Sequence, residues 1–351
     1  MCDGVTWQTL ISTAIETEAS DIHLTVGQCP HMRCDGILQS MGGGQLTESF
    51  MSELCSVILN DAQRERLAHE RDIDLSWTFV GRRFRVNAYY QQGWLALAIR
   101  LLPERIPSLA ELGAPKAWQK IKEFDQGLVL VTGRTGSGKT TTLAAFIEEL
   151  NREKAYHIIT LEDPIEYVFT PDKCFISQRE AGQDFHDFAA ALRGALREMP
   201  DVVLVGEIRD RDTMSVALMA ASAGMLVLGT LHSGCAADAI LRVEGMFPQE
   251  ERDGVRSLLA EVLRGIFAQR LLSAADGGRV ALSEVLLSGS SVKSLIRQGK
   301  YSQLASVMLS SQNQGMQPFS AAARKLQLEG RLDAATWAGL NAQLQAAGGA
   351  L

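Results

Sequence analysis

The sequence predicts an α/β fold in which a smaller α+β domain precedes a larger domain built on a mostly parallel sheet. Three observations predict this arrangement. Residues 73–102 alternate between apolar and polar side chains, which is typical of antiparallel strands. Beyond residue 115, short apolar runs alternate with helical stretches, which is typical of a parallel sheet with helices on both faces. A glycine-rich loop at 133–138 joins one of these apolar runs to a helix.

The first domain is predicted to span residues 1–102. An amphipathic helix is expected over 5–19, and the alternation from Ser20 to Thr25 indicates a strand after it. Asp35 and Gly36 favour a hairpin turn. A further helix is expected before residue 70. Three antiparallel strands then complete the domain, at 73–79, 83–90 and 94–102.

The second domain is predicted to span residues 116–351, after a linker at 103–115 that is rich in proline and glycine. Its short β-rich runs lie at 128–132, 157–161, 202–205 and 225–231. The last 30 residues are rich in alanine, glutamine and leucine and are expected to be helical. With 351 residues, the chain is long enough for each domain to bury its own core.

Composition argues against some classes of protein. The formal net charge of −7 argues against a nucleic-acid partner, because nucleic-acid motors usually carry a basic stripe. No apolar run reaches the roughly 18 residues that a membrane span needs, and the first residues lack the features of a signal peptide. We therefore expect a cytoplasmic protein with peripheral membrane association only. Cys29 and Cys34 flank His31 and suggest a metal site, but no second cysteine pair follows, which favours reduced thiols.

The strongest motif is the segment from Gly133 to Thr140, GRTGSGKT, which matches the pattern G-x-x-x-x-G-K-[ST] of a P-loop. In such a loop, backbone N–H groups surround the phosphates of a nucleotide, and the following helix adds its positive N-terminal dipole. Lys139 is expected to reach the β and γ phosphates, and the Thr140 hydroxyl to bind Mg²⁺. The alternative is a chance glycine-rich loop. The predicted cofactor-binding residues are Thr135, Gly136, Ser137, Gly138, Lys139, Thr140 and Thr141.

Acidic residues follow two of the predicted strands. The run 202–205 leads to Glu207, at the sheet edge where ligands bind in such folds, so this carboxylate is a candidate for orienting the attacking water. The alternative for Glu207 is a solvated loop residue. Glu162 and Glu166 follow the run 157–161 and are candidates to support catalysis, or else belong to an ordinary acidic turn.

His232 follows the run 225–231 of the same predicted sheet. A histidine beside phosphates can sense the γ-phosphate through a hydrogen bond, although a lone histidine more often has a structural role in a core.

Taken in order, these segments resemble the motifs of the secretion-ATPase superfamily, and specifically its pilus-retraction (PilT-like) branch. The P-loop is followed by an acidic box at 160–166, an atypical Walker B segment at 204–210 and a histidine box at 224–233. Residues 20–24 are similar to the opening of the family's N-terminal domain, and 84–87 to a strand that feeds arginines toward a neighbouring subunit. The resemblance covers about residues 5 to 335.

Two features favour the retraction branch. Assembly and type II secretion ATPases usually carry a longer N-terminal region and a tetra-cysteine zinc insertion, and this sequence has neither. Residues 291–297 are similar to a C-terminal motif associated with retraction. The sequence departs from the pattern at Met225, where a histidine is usual, at Met199, where an acidic residue is common, and at Lys293 and Ser294. These departures suggest a divergent or accessory motor.

The resemblance implies a PAS-like N-terminal domain, a RecA-like P-loop ATPase domain and a homohexamer that binds ATP and Mg²⁺ between its domains. It also implies that Glu207 is the main water-orienting residue, and that the motor docks on an inner-membrane pilus platform protein. Arginines of the first domain are candidates to reach ATP within the subunit or from its neighbour: Arg82, Arg83, Arg85 and Arg100. The alternatives are a pilus assembly or type II secretion ATPase, a non-hydrolysing regulatory paralogue and, against the charge, a nucleic-acid translocase.

Overall fold

The computed structural model describes residues 6–34 and 36–346 and divides the chain into two compact units. Unit 1 comprises the residues up to Arg105 together with the short segment Pro164–Tyr167. Unit 2 comprises Ile106–Asp163 and the residues from Val168 onward. The main division therefore lies inside the segment predicted as a linker.

Unit 1 is an α+β unit built on one antiparallel sheet. Its helices are α1 (Trp7–Glu16), α2 (Glu48–Ile58) and α3 (Asp61–Glu70). Its strands are β1 (Asp21–Thr25), β2 (His31–Cys34), β3 (Ile37–Ser40), β4 (Asp72–Phe79), β5 (Arg82–Gln91) and β6 (Trp94–Leu101). The strand order is β3-β2-β1-β6-β5-β4, so the predicted meander of β4, β5 and β6 is present.

Alternating side chains build the core of unit 1. Phe84, Val86 and Ala88 of β5 are fully buried, while the residues between them are only partly buried. Each helix starts at a side chain that accepts from its first turn, with Thr6 before α1, Thr47 before α2 and Asn60 before α3. The predicted turn at Asp35 lies outside the described residues, and β2 pairs with β3 on either side of it.

Unit 2 carries a seven-stranded mixed sheet. Its strands are β7 (Gly127–Thr132), β8 (His157–Glu162), β9 (Phe175–Glu180), β10 (Val202–Val205), β11 (Leu226–Leu231), β12 (Leu263–Ser273) and β13 (Arg279–Leu287). The strand order is β13-β12-β7-β11-β10-β8-β9, and only the β12–β13 pair is antiparallel. The four strands predicted from apolar runs, β7, β8, β10 and β11, are central neighbours. This sheet confirms the predicted α/β class.

Helices alternate with these strands and continue beyond the sheet. They are α4 (Ala117–Ile121), α5 (Lys139–Glu153), α6 (Phe188–Ala195), α7 (Arg211–Ser222), α8 (Ala236–Gly245), α9 (Arg252–Val262), α10 (Ser290–Arg297), α11 (Leu304–Ser310), α12 (Phe319–Leu328) and α13 (Ala334–Ala346). Phe319 and Leu326 of α12 pack with Val280 and Leu282 of β13, which ties the C-terminal helices to the edge of the sheet. Within the residues described, none of the helices has the length and apolarity required to cross a bilayer.

Candidate nucleotide site

The glycine-rich loop lies between a buried strand and a long helix. All six residues of β7 are buried, and the 15-residue helix α5 begins at Lys139 directly after the loop. Gly136 and Gly138 have φ values of 75° and 85°, a left-handed conformation that side chains disfavour. The strand, loop and helix therefore have the order that a P-loop requires.

Lys139 folds back over the loop that precedes it. Its Nζ donates to the carbonyl oxygens of Gly133 at 2.9 Å and Arg134 at 3.2 Å, and the residue is only 8% exposed. At the base of the loop, Thr132 Oγ1 donates to Ser233 O at 3.0 Å and accepts from Ser233 N at 2.8 Å. The end of β7 is thus fastened to the segment that follows β11.

The remaining loop residues differ in exposure. Thr135 and Gly136 are exposed at the tip, whereas Thr140 and Thr141 are half-buried in the first turn of α5. Ser137 is buried, and its Oγ has no hydrogen-bond partner among the residues that the structure describes. A buried hydroxyl without a partner is costly unless a ligand or water supplies one. These groups suit a phosphate-bearing ligand.

Glu207 and His232 meet at the same edge of the sheet. Glu207 follows β10, His232 follows β11 and the loop follows β7, and these three strands are adjacent and parallel. The carboxyl ends of adjacent parallel strands share one edge, which brings their following residues together. Glu207 Oε1 lies 3.1 Å from His232 Nε2. Glu207 Oε2 accepts from Arg209 at 2.7 Å.

The charges around Glu207 set its protonation. Burial alone would raise the pKa of Glu207, but the hydrogen bond from Arg209 and the charges of Arg209, His232 and Lys139 outweigh it and lower the pKa. Burial and the charge of Lys139 lower the pKa of His232 from its ordinary 6.5, against the influence of Glu207. At neutral pH the contact is therefore a hydrogen bond from a neutral imidazole to a carboxylate, not an ion pair.

Gly206 explains why the acidic residue falls one position later than in many P-loop proteins. Its N–H donates to Leu161 O at 2.7 Å across the β8–β10 pair. A Cβ at Gly206 would lie 2.9 Å from Leu161 O and 3.2 Å from Glu162 Cα. Because no side chain fits there, the carboxylate must come from Glu207.

Glu162 is the last residue of β8 and is 5% exposed. Its Oε1 accepts from Thr160 Oγ1 at 2.7 Å and from Gln178 Nε2 at 3.3 Å. Since β8 pairs with β10, Glu162 lies at the same sheet edge as Glu207. These hydrogen bonds fix the orientation of the Glu162 carboxylate. The supporting role of Glu162 in catalysis stays a prediction.

Arg100 and Glu166 belong to unit 1. Arg100 extends from β6 and contacts Asp21 at 2.9 Å, with a side chain that is 64% exposed. Glu166 is half-buried in the segment Pro164–Tyr167. The role of Arg100 in nucleotide binding and the role of Glu166 in catalysis stay predictions.

The other candidate arginines of unit 1 have partners within it. Arg82 pairs with Glu104 at 2.8 Å and Arg85 with Asp74 at 2.7 Å. Arg83 donates to Ser76 Oγ at 2.9 Å. To contact a nucleotide, these arginines would have to break their present contacts within unit 1.

The two methionine departures lie away from the Glu207–His232 contact. Met225 directly precedes β11, and its carbonyl accepts from Gly127 N at the start of β7. Since the six residues of β11 rise about 3.3 Å each, Met225 lies on the order of 20 Å from His232. Met199 is 78% exposed after a short 3₁₀ turn. The missing histidine therefore belongs to the opposite sheet edge.

Two side chains that contact the site were not predicted from the sequence. Arg209 holds Glu207, and its position two residues after the acidic residue was an available signal, because a nearby cation stabilises a carboxylate. Gln269 of β12 contacts the loop at Ser137 O. No local motif indicates Gln269, because it comes from a strand more than a hundred residues away.

The residues present also fit Mg²⁺ bound together with a nucleotide. Across 6–34 and 36–346, no three His, Cys, Asp or Glu side chains are grouped to hold a metal ion by themselves. Protein sites for Mg²⁺ in P-loop proteins instead rely on the substrate's phosphates, water and few protein ligands. The Thr140 hydroxyl, in the first turn of α5, suits that role.

Comparison with known proteins gives the chain's relatives. A profile of the type II/IV secretion system protein family matches residues 5–277. The type IV pilus retraction ATPase PilT of Pseudomonas aeruginosa is 40% identical over 322 residues, which cover 92% of this chain and 94% of that protein. A twitching motility protein of Neisseria gonorrhoeae is 41% identical over 324 residues, which cover 92% of this chain and 86% of that protein.

A solved structure agrees with these relatives. The crystal structure of the pilus retraction motor PilT with bound ADP superposes with a TM-score of 0.89 at 41% identity. The match covers 95% of this chain and 96% of that one.

Proposed function

The chain belongs to the type II/IV secretion system protein family, and within it we propose that this protein is an ATP-hydrolysing motor that powers retraction of a type IV pilus. The observation that carries the proposal is the convergence of Lys139, Glu207 and His232 at one edge of the sheet. The similarity to the retraction ATPase PilT over nearly the full length of both chains supports retraction as the motor's task.

Nucleotide binding is assigned to the P-loop. The backbone N–H groups of the loop and the N-terminal dipole of α5 favour the negative charge of the phosphates. Lys139 now donates to two carbonyl oxygens of its own loop, and it would exchange these for the stronger charge-assisted bonds to phosphate. Thr135, Gly136, Gly138 and Thr141 complete the loop and the helix start.

Glu207 is the residue proposed to orient the attacking water. Its lowered pKa keeps the carboxylate ionised and makes it a weak base, which suits positioning a water better than removing its proton fully. The neutral His232 holds one carboxylate oxygen through Nε2 and lies where it can respond to the phosphates. Glu162 and Glu166 are proposed to support this arrangement.

Mg²⁺, when bound with the nucleotide through Thr140, would neutralise phosphate charge. We further propose that the protein acts as a homohexamer, in the cytoplasm, docked at the inner membrane on a pilus platform protein. In that assembly the arginines of unit 1, Arg100 among them, would reach a nucleotide in the same or the neighbouring subunit and stabilise its developing charge.

The first prediction tests hydrolysis with the purified chain. Lys139→Ala should abolish steady-state phosphate release, because the phosphates lose the ammonium group of Lys139. Glu207→Gln should still bind ATP but turn it over about 10²-fold more slowly, since an amide cannot replace the charge of a water-orienting carboxylate. Lys325→Ala, on the exposed side of α12, is the control and should match wild type.

Phosphate release from Lys139→Ala at the wild-type rate would contradict the P-loop assignment, and a wild-type protein that binds ATP without hydrolysing it would favour a regulatory paralogue. In cells, deletion of the gene should leave many pili that cannot retract. Cells without any pili would instead favour an assembly ATPase.

A further inference from the structure

Gln269 connects the end of the glycine-rich loop with the first turn of helix α5. This residue lies in β12 and is 5% exposed. Its Nε2 donates to Ser137 O at 2.9 Å, and its Oε1 accepts from Thr142 Oγ1 at 2.9 Å. One buried amide thus connects the residue two positions before Lys139 with the residue three positions after it.

The backbone and the side chain of Gln269 also lie close to the two ends of the glycine-rich loop. A Cβ at Gly133 would lie 2.4 Å from Gln269 O, and a Cβ at Gly138 would lie 2.8 Å from Gln269 Nε2. Gly133 therefore has no room for a Cβ beside the backbone of Gln269, whereas at Gly138 the close atom ends a flexible side chain and the positive φ value is the stricter constraint. The loop is packed against this one residue at both of its ends.

The chemistry of the two partners calls for an amide. Ser137 O can only accept a hydrogen bond, while the Thr142 hydroxyl, at the 2.9 Å contact, can donate. A glutamate at 269 would replace the donor Nε2 with a carboxylate oxygen and so place an acceptor against the carbonyl oxygen of Ser137, and a shorter asparagine would not span the same distance. Leaving both buried groups without partners would let the turn at Gly138 relax and would move the start of α5.

We propose that Gln269 is a positioning residue for nucleotide binding, which fixes the turn from Ser137 to Lys139 in its phosphate-binding shape. The inference rests on the proposed function, because it assumes that the loop binds phosphates. It also makes the β12–β13 hairpin a physical link between the loop and the C-terminal helix α12, since Phe319 and Leu326 of α12 pack on β13.

The test compares ADP binding and melting temperature in matched variants of the full chain. Gln269→Met keeps the approximate volume of the side chain and removes both hydrogen bonds. Its dissociation constant for ADP should rise about tenfold, the factor that corresponds to one or two neutral hydrogen bonds. Gln317→Met is the control, because Gln317 Nε2 donates to the backbone oxygen of Ser283 on β13, away from the loop. This control should bind ADP like wild type.

A second pair of variants keeps the test decisive if Gln269→Met fails to fold. Thr142→Val removes the hydroxyl that contacts Gln269 and should weaken ADP binding, whereas Thr142→Ser keeps the hydroxyl and should not. If both single variants fold, their effects on ADP affinity should be less than multiplicative in the double variant Gln269→Met, Thr142→Val. Both changes remove the hydrogen bond between Thr142 and Gln269.

Unchanged ADP affinity in Gln269→Met or in Thr142→Val, with only a lowered melting temperature, would overturn the positioning role and leave the proposed function intact. A wild-type protein that binds no ADP would overturn the proposed function, and the positioning role with it.

Discussion

Glu207 is held by two donors of different character, a charged guanidinium on one oxygen and a neutral imidazole on the other. Arg209 supplies the larger part of what keeps the carboxylate ionised, through a hydrogen bond and through its charge. The pairing also raises the pKa of Arg209 above its already high ordinary value. The side chain of Arg209 is 61% exposed, so it can be exchanged without leaving a cavity.

Removal of Arg209 should therefore move the acid limit of the ATPase activity. If turnover needs ionised Glu207, Arg209→Gln raises the pKa of Glu207 and the rate falls at a higher pH than in wild type. The measurement is kcat as a function of pH from about 3.5 to 7, because the lowered pKa of Glu207 puts the acid limb of the wild type below pH 4.5. Arg211→Gln is a matched control two residues away, because Arg211 pairs with Glu251 and not with Glu207. Identical acid limbs in the three proteins would contradict the assignment of Glu207.

The site residues that sequence alone predicts are those carried by local motifs. Lys139, Glu207 and His232 each follow a recognisable strand, and the edge rule for parallel sheets brings them together. The edge rule does not by itself indicate Arg209 or Gln269. One acts through its charge on a neighbour and the other through a contact that exists only after β12 has been placed beside β7.

At the level of elements, the central strands were predictable because they are buried on both faces and so form apolar runs. β9, FISQRE, is mostly half-buried at the sheet edge and lacks such a run. β12 follows α9 without a glycine or proline between them, since the backbone turns at Leu263 alone. The hairpin to β13 did carry a sequence signal, the adjacent pair Gly277 and Gly278, which adopt left-handed φ values in the structure.

Helix α10 contains the segment predicted to serve retraction, and two of its residues distinguish a packing role from a role in coupling to the pilus machinery. Ile296 is fully buried and α10 packs on α9, whereas Leu295 is half-buried. Ile296→Ala should cost about 2–5 kcal/mol of folding free energy, as expected for a buried isoleucine. Leu295→Ala should leave melting temperature and ATPase rate nearly unchanged while pili fail to retract in cells. A strongly destabilised Leu295→Ala protein, or normal retraction by a folded one, would contradict a coupling role.

Glu284 joins three elements of unit 2. From β13 its carboxylate accepts the N–H of Ala236 at the start of α8, at 2.8 Å, and the N–H of Phe319 at the start of α12. Burial raises the pKa of Glu284 to about 7, although these two N–H groups and Arg270 act to lower it. The folded state therefore binds more protons than the unfolded state between pH 4.5 and about 7.

The unfolding free energy should consequently decrease as pH rises through this window, by up to roughly 1.4 kcal/mol per pH unit. Glu284→Gln lacks the titrating group, so the difference in unfolding free energy between wild type and variant should change with pH by that amount. Denaturant titrations at several pH values between 4.5 and 7.5 measure it. Glu261→Gln, at an exposed position of α9, serves as the control. Parallel pH curves for wild type and Glu284→Gln would show that Glu284 does not titrate in this range.

At the scale of the whole molecule, the residues predicted to serve the site are distributed over two units. The P-loop, Glu162, Glu207 and His232 belong to unit 2, whereas Arg100 and Glu166 belong to unit 1. Arg100 is largely exposed, and its pairing with Asp21 is of the kind that contributes little at a surface. Breaking this ion pair would therefore cost little stability if Arg100 contacts a nucleotide in its own subunit or in the neighbouring subunit of an assembly.

Mixing two inactive variants distinguishes action of Arg100 within its own subunit from action on the neighbouring subunit. If Arg100 acts on the neighbouring subunit, Arg100→Ala retains an intact loop and Lys139→Ala retains an intact arginine. A mixed ring then regains complete sites. With equal amounts of both, about a quarter of the sites in a symmetric ring would combine the two intact parts, which sets the upper limit of recovered ATPase activity. Arg66→Ala, on α3 of the same unit, is the control and should match wild type alone.

The dependence of ATPase activity on assembly is a second test of whether Arg100 acts on the neighbouring subunit. Specific ATPase activity of the wild type should rise with protein concentration and reach a plateau where light scattering shows rings, because a lone subunit lacks the neighbour's arginine. Activity that stays constant on dilution to monomers, together with no recovery in the mixture, would assign catalysis to a single subunit.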